Sequence, residues 1–200
     1  MMWSDEVALL RHPFAGYAAA GSATRAPPNG ALRSAAARVT IVMLTLGLFV
    51  SISTTGRVVP AQVAGTMLAW LFAPLVQSAA VLFVGAVFVK RVPRARLLDL
   101  YFAGHAPWLL FMWIASGIVV VPPNPTAIFF FLLAKGIAPA LFVITFVWGI
   151  VLNVAMFRAG LGLSRGKTAL AVTLFYVLFV GQVVAYYLAS DAIQPQVGVR

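Results

Sequence analysis

Between Arg38 and Arg57 the chain reads VTIVMLTLGLFVSISTTG, without a single charge. Further apolar runs occupy 61–89, 101–121, 127–157 and 168–190, each bounded by short polar or basic segments. This repetition is the strongest constraint on the fold. In hydrocarbon a backbone must satisfy its own N–H and C=O groups, so only helices and closed barrels can cross. Runs of about 20 apolar residues are the length of a crossing helix. Charged residues make up only 9% of the chain and 62% is apolar. That leaves too little polar surface for a water-soluble globule, which carries roughly 25% charged residues. The expected fold class is an all-α membrane protein, a bundle of five transmembrane helices with a short N-terminal interfacial helix. No separate soluble catalytic domain fits in the remaining length.

Two regions follow. Residues 1–34 form an expected cytoplasmic interfacial helix and linker, and 35–200 the transmembrane domain, with spans at about 39–56, 61–89, 101–121, 140–157 and 168–190. Ser4, Asp5 and Glu6 suit a helix start, with a capping hydroxyl and two acids on the positive end of the dipole. That helix is expected to be interrupted near Pro13, and 21–34, rich in Pro, Gly and Ser, reads as a linker. The acids near the start are unlike the basic opening of a signal peptide, so none is expected. The run 61–89 is longer than one perpendicular crossing needs. It can tilt, kink at Pro74 or begin as an interfacial turn, and one crossing is preferred. The run 127–157 is expected to divide at Lys135, Gly136 and Pro139 into a short aromatic segment and the span proper.

Charge sets the expected orientation. Arg11, Arg25, Arg33 and Arg38 precede span one, Lys90, Arg91, Arg94 and Arg96 lie between spans two and three, and Arg158, Arg165 and Lys167 between spans four and five. With five crossings these fall on one side, leaving Arg57 and Arg200 on the other. The positive-inside rule then places the N-terminus in the cytoplasm and the C-terminus in the periplasm, or in a lumen if the source is eukaryotic. The net charge of +10 is therefore a membrane signature, not a nucleic-acid one. Lys90, Arg91, Arg94, Arg96, Arg158, Arg165 and Lys167 are the expected lipid-headgroup and cytoplasmic anchors.

GLGLSRGKT, residues 160–168, ends as a phosphate-binding P-loop does. The motif needs glycine five residues before Gly166, but Leu161 stands there, and it needs a preceding strand in a soluble sheet. The better reading is a turn, with glycines ending one helix, Ser164 capping the next and cations holding the hairpin at the headgroups. No nucleotide is expected.

Lys135 is the one charge inside an apolar run. It lies about 34 Å of helix from Arg158, so it can snorkel to the opposite interface; transport or partner pairing is the sharper alternative. The four acids, Asp5, Glu6, Asp99 and Asp191, are scattered in sequence and read as never clustering, cysteine is absent, and His12 and His105 are isolated. Catalytic residues, a metal site and a cofactor are therefore not expected. Gln77, Ser78, Asn153 and Gln182 can hydrogen-bond between helices. Gly65, Ala69 and Ala73 repeat at a spacing that suits either internal packing or docking to another membrane protein.

The stretch VWGIVLNVAMFRAGLGLSRGKTALAV resembles the end of span four, the loop and the start of span five in the Yip1 domain family. Trp148, Gly160, Gly162, Leu163, Ser164, Arg165, Lys167 and Ala169 carry the likeness. VALLRHPFAGYAAA is similar to that family's opening segment and LYFAGHAPWLLF to its entry into span three, although His105 departs from the usual apolar version. The likeness covers the whole chain in layout and is specific in GLSRGK. It implies a five-span protein without catalytic residues. Eukaryotic relatives act in vesicle traffic with small GTPases, and bacterial ones sit in the inner membrane. The Ala/Val/Gly/Arg-rich composition points to a bacterial member. The expected function is non-catalytic, through helix–helix or lipid contacts, as an accessory subunit of a membrane complex. Its partners would be the bilayer and another integral membrane protein, with no nucleic acid. The alternative is a small transporter or channel with a polar path near Lys135, Gln77, Asn153 and Gln182.

Overall fold

A computed structural model describes the backbone of residues 2–22, 28–89, 92–107, 109–110 and 128–193; side chains at 2–5, 28, 53, 128–138, 187 and 189–193 lie outside the description. The described residues are helical, with no strand among them. Helices α1 (Met2–Arg11) and α2 (Pro13–Ser22) are followed by α3 (Pro28–Thr55), α4 (Pro60–Trp70), α5 (Phe72–Phe88) and α6 (Arg94–Ala103). After these come α7 (Ile128–Ala155), a π-helical turn (Met156–Gly160) and α8 (Arg165–Ile193).

Four helical segments are long and apolar enough to cross a membrane: Asn29–Ile52, Pro60–Phe88, Pro139–Gly160 and Arg165–Tyr186. They overlap the segments expected as spans one, two, four and five. Most of the expected third span lies outside the described residues. Just before and at its expected start, α6 begins at Arg94 and stops at Gly104. Pro107, with no N–H to give the Ala103 carbonyl, explains the stop. The chain turns helical again at 106–107 and 109–110, with the Leu109 amide on the His105 carbonyl at 3.2 Å.

Prolines shape the other elements. Pro13 opens α2 at a position where its missing N–H is harmless, so α1 and α2 part only at His12. The long second run stays right-handed helical through Leu71, where one turn tightens three residues before Pro74. Pro74 cannot donate to the Trp70 carbonyl, and the Leu71 amide tightens back onto Leu68 O at 3.2 Å. Pro139 acts differently. The fourth run is one continuous helix through Lys135, Gly136 and Pro139, not the divided segment expected. A single proline in a membrane helix frees one carbonyl, and neighbouring groups can satisfy it without ending the helix.

Buried faces recur at helical spacing. On α5 they are Pro74, Gln77, Val81 and Val84, and on α8 Thr168, Ala171, Val172 and Phe175. The largest core cluster lies where α5, α6, the end of α7, the π-turn and the start of α8 meet, and it includes Leu9 and Tyr17 from the N-terminal helices. Outward positions are apolar too, among them Leu75, Phe83, Leu170 and Val177, as a lipid-facing surface requires.

Candidate functional site

Two neighbouring features stand out: an ion network at one end of the bundle and an apolar cavity deeper in it. The network is centred on Arg38 of α3. Its Nε donates to Glu6 Oε1 at 2.9 Å, and its Nη1 reaches Asp99 Oδ1 and the Asp99 carbonyl. Arg96 Nη1 donates to Asp99 Oδ2 at 2.7 Å, and its Nη2 donates to the Ala20 carbonyl. Two cations and two carboxylates thus join α1, α2, α3 and α6, and their charges balance. The acids were expected to stay apart; Glu6 and Asp99 instead converge on one guanidinium because α3 and α6 pack side by side and α1, held against α2, brings Glu6 to Arg38. In a chain this poor in acids, each carboxylate near an arginine-rich end has cations to meet. That was the only sequence signal available.

Tyr17 fastens the N-terminal helices a second time. It is fully buried, and burial pushes its phenol well above the usual tyrosine value. A methyl group added to Gly104 would collide with the Tyr17 hydroxyl, and Gly160 lies in ordinary contact with its backbone and ring. Gly21 approaches the Gly160 carbonyl so closely that no Cβ would fit. The glycine-rich turn is therefore a docking surface for α2 as well as a chain reversal.

The turn closes on itself. The Leu161 amide bonds to Met156 O at 2.9 Å and the Leu163 amide to Phe157 O at 3.1 Å, with Gly162 left-handed at φ 68°. Such a closure is a residue wider than the usual glycine C-cap. Arg158 Nη1 donates to Leu163 O at 2.8 Å, and the Thr168 amide donates to the Ser164 backbone carbonyl at 2.8 Å as α8 begins.

The cavity, about 310 Å³, lies among α3, α4, α5, α7 and α8. Trp70, Phe72, Phe142, Phe146 and Phe179 supply aromatic walls, and Gln77 and His105 also line it. Trp70 and Phe72 flank the tightened turn at Leu71, and the stop at Gly104 places His105 against the edges of Tyr101 and Phe102, at ring separations of 5.8 and 5.2 Å. Gln77 is buried, and its Oε1 has no hydrogen-bond partner among the described residues. His105 also borders a smaller cavity of about 60 Å³ beside Glu6 and Arg38.

The expected anchors divide. Arg94, Arg158, Arg165 and Lys167 are exposed, Arg96 turns inward to Asp99 and Ala20, and Lys90 and Arg91 lie outside the described residues. Lys135 sits on α7, with its side chain outside the description. Of the expected polar path, Gln77 lines the cavity, whereas the Asn153 amide donates to Tyr176 Oη at 3.0 Å. Gln182 is half-buried on α8, away from the cavity lining. Gly65 and Ala69 face outward. No three metal-ligating side chains come together among the described residues.

No family model, no curated protein and no solved structure matches the chain.

Proposed function

We propose that this is a non-catalytic, five-span protein of a bacterial inner membrane, N-terminus in the cytoplasm and C-terminus in the periplasm. It works through contacts with lipids and with another integral membrane protein, as an accessory subunit. A Yip1-type kinship, carried by the GLSRGK likeness, is part of the same proposal.

The observation that carries the reading is the gathering of three distant basic segments at one end. The N-terminal helices, the start of α6 and the π-turn pack together, and Arg11, Arg94, Arg158, Arg165 and Lys167 stay exposed around them. A cationic rim of this kind belongs against an anionic cytoplasmic leaflet. The third crossing has support from reach. Gly104 and Gly160 lie against the same tyrosine, and the 28 residues of α7 carry the chain about 42 Å from Gly160. A crossing within 101–121 supplies the return that α7 requires.

Orientation is tested with single cysteines in this cysteine-free chain, in intact cells. Thiols at Ser164 and at position 195 should label from opposite sides; labelling from the same side removes the five-span reading. For the partner, extraction in gentle detergent or native nanodiscs should bring down a stoichiometric membrane protein. Replacing Arg158, Arg165 and Lys167 with glutamate should weaken that association. A clean monomer from native membranes refutes the accessory role.

A further inference from the structure

We infer that the small cavity beside the ion network is a water site, and that its water makes His105 a proton-exchange group reached from the arginine-rich end alone. This goes beyond the proposed accessory role, which gives His105 no part.

The cavity measures about 60 Å³ and lies between α1, α3 and the segment 102–109. A water needs about 10–15 Å³ of such space and two to four polar partners. The wall supplies Glu6, Arg38 and His105, one polar side chain from each element. Two of them have groups still unpaired. Arg38 commits Nε and Nη1 to Glu6 and Asp99, and its Nη2 has no acceptor among the described residues. The His105 ring nitrogens have no partner there either. The polar atoms that are both enclosed and unpaired are Gln77 Oε1, Tyr101 Oη and Thr168 Oγ1, so neither Arg38 Nη2 nor a His105 nitrogen is sealed off. A guanidinium only donates, an ionised carboxylate only accepts, and a neutral imidazole does one of each. Water, which donates and accepts, serves all three. An added ion does not, because the two arginines and two carboxylates already balance.

His105 marks the limit of the wet end. It is 7% exposed and also borders the larger cavity, whose walls are aromatic and aliphatic apart from Gln77. Apolar cavities of this kind stay dry. A proton therefore reaches the ring from one side. The ring nitrogen without a hydrogen takes it from a cavity water, the other nitrogen keeps its N–H, and the donating water is reprotonated from solvent past Glu6, which is 15% exposed. The imidazolium so formed faces the Glu6 carboxylate and the Arg38 guanidinium, with Asp99 and Arg96 behind Arg38 and the Tyr101 ring on its own segment. No charged side chain lines the larger cavity to continue the path, so protons exchange at His105 and do not cross.

The test uses the full chain in lipid nanodiscs, isotopically labelled at the histidine ring nitrogens. The chain has two histidines, and the exposed His12 is the internal reference. Water-edited solid-state NMR should show polarisation passing from water to both rings, and the His105 N–H should exchange in deuterated water. Ala106→Phe, which fills the small cavity, should remove the His105 signal and leave that of His12. Ile41→Phe fills the cavity from α3 and decides the matter if the first variant does not fold. Ala73→Phe, in the larger cavity, should change nothing. A His105 ring that receives no water polarisation while His12 does overturns the inference. So does a signal that survives both small-cavity variants, or one that is lost in Ala73→Phe. In proteoliposomes the chain should add no proton leak; a leak abolished by His105→Ala means access from both sides and overturns the inference as well. None of these readouts involves partner co-purification, so the two readings fail separately.

Discussion

Arg38→Met should release the N-terminal helices from the bundle, and the size of the effect can be worked out bond by bond. Arg38, Glu6 and Asp99 side chains are 12%, 15% and 11% exposed, so solvent screening is limited. The substitution removes the bond to Glu6 and both bonds to Asp99. Asp99 keeps Arg96, so α6 is not left with an unpaired carboxylate. Glu6 is different. It sits on a terminal helix that can swing into water, so it leaves the site instead of staying there as a buried lone charge. The relevant loss is therefore the single charge-assisted bond that ties α1 to α3, about 1.5–3 kcal/mol. The undocked population should rise about 10- to 100-fold. Leu9, 2% exposed, reports it: in the cysteine-free chain, Leu9→Cys should react with a maleimide that much faster when Arg38 is also Met. Arg38→Lys should behave nearly as badly, because one ammonium lacks the fork that reaches two carboxylates from fixed positions. Adding Glu6→Ala to Arg38→Met should change little, since the bond is already gone. Labelling within twofold of the parent in Arg38→Met, or a full additional effect of Glu6→Ala, refutes this account of docking.

Three further outcomes follow from the same end of the molecule. Gly21→Ala should undock α2, because the added methyl meets the Gly160 carbonyl, whereas Gly160→Ala should be tolerated, since its methyl finds only ordinary contacts; the Leu9→Cys labelling rate compares them directly. Tyr17 makes docking sensitive to alkali. Its phenol stays neutral when docked and ionises near pH ~10 when released, so docking is complete below that value and weakens by about 1.4 kcal/mol per pH unit above it. Fluorine NMR of a tagged Ala8→Cys should show the released state growing there, and Tyr17→Phe should flatten the pH slope. Asn153→Leu removes the bond to Tyr176 and should lower unfolding stability in bicelles by about 0.6 kcal/mol, the average for interhelical bonds in lipid. A loss several times larger would assign Asn153 a further role.

Much of the architecture was legible in the chain. Apolar runs, basic segments and prolines place helices and breaks because these are local effects. A proline lacks its N–H wherever it stands, and a charge avoids hydrocarbon whatever its neighbours are. Pro74 and Pro107 show the limit of that reading. Each marks a disturbance of the helix, but it falls three residues upstream, as a tightened turn at Leu71 and a stop at Gly104. Pro139 looked like an equal breaker and did not act as one.

The candidate site was hardly legible. Gln77 and His105 each looked like an ordinary interhelical or helix-start polar group, and they border one cavity only because segments distant in sequence meet in space. The same holds for the end network. Glu6 and Asp99 are 93 residues apart, and helical periodicity says which face of α1 or α6 is buried without saying against what. What the amino-acid order determined by itself is a set of membrane-length helices and the end on which the cations collect, because hydrogen bonding in lipid and charge solvation act on each segment alone. Only the tertiary structure decided that Arg38 holds two acids, that Tyr17 closes between Gly104 and Gly160, and that Gln77 and His105 border one apolar cavity. Those are relations between helices, and they exist only once the helices have chosen their neighbours.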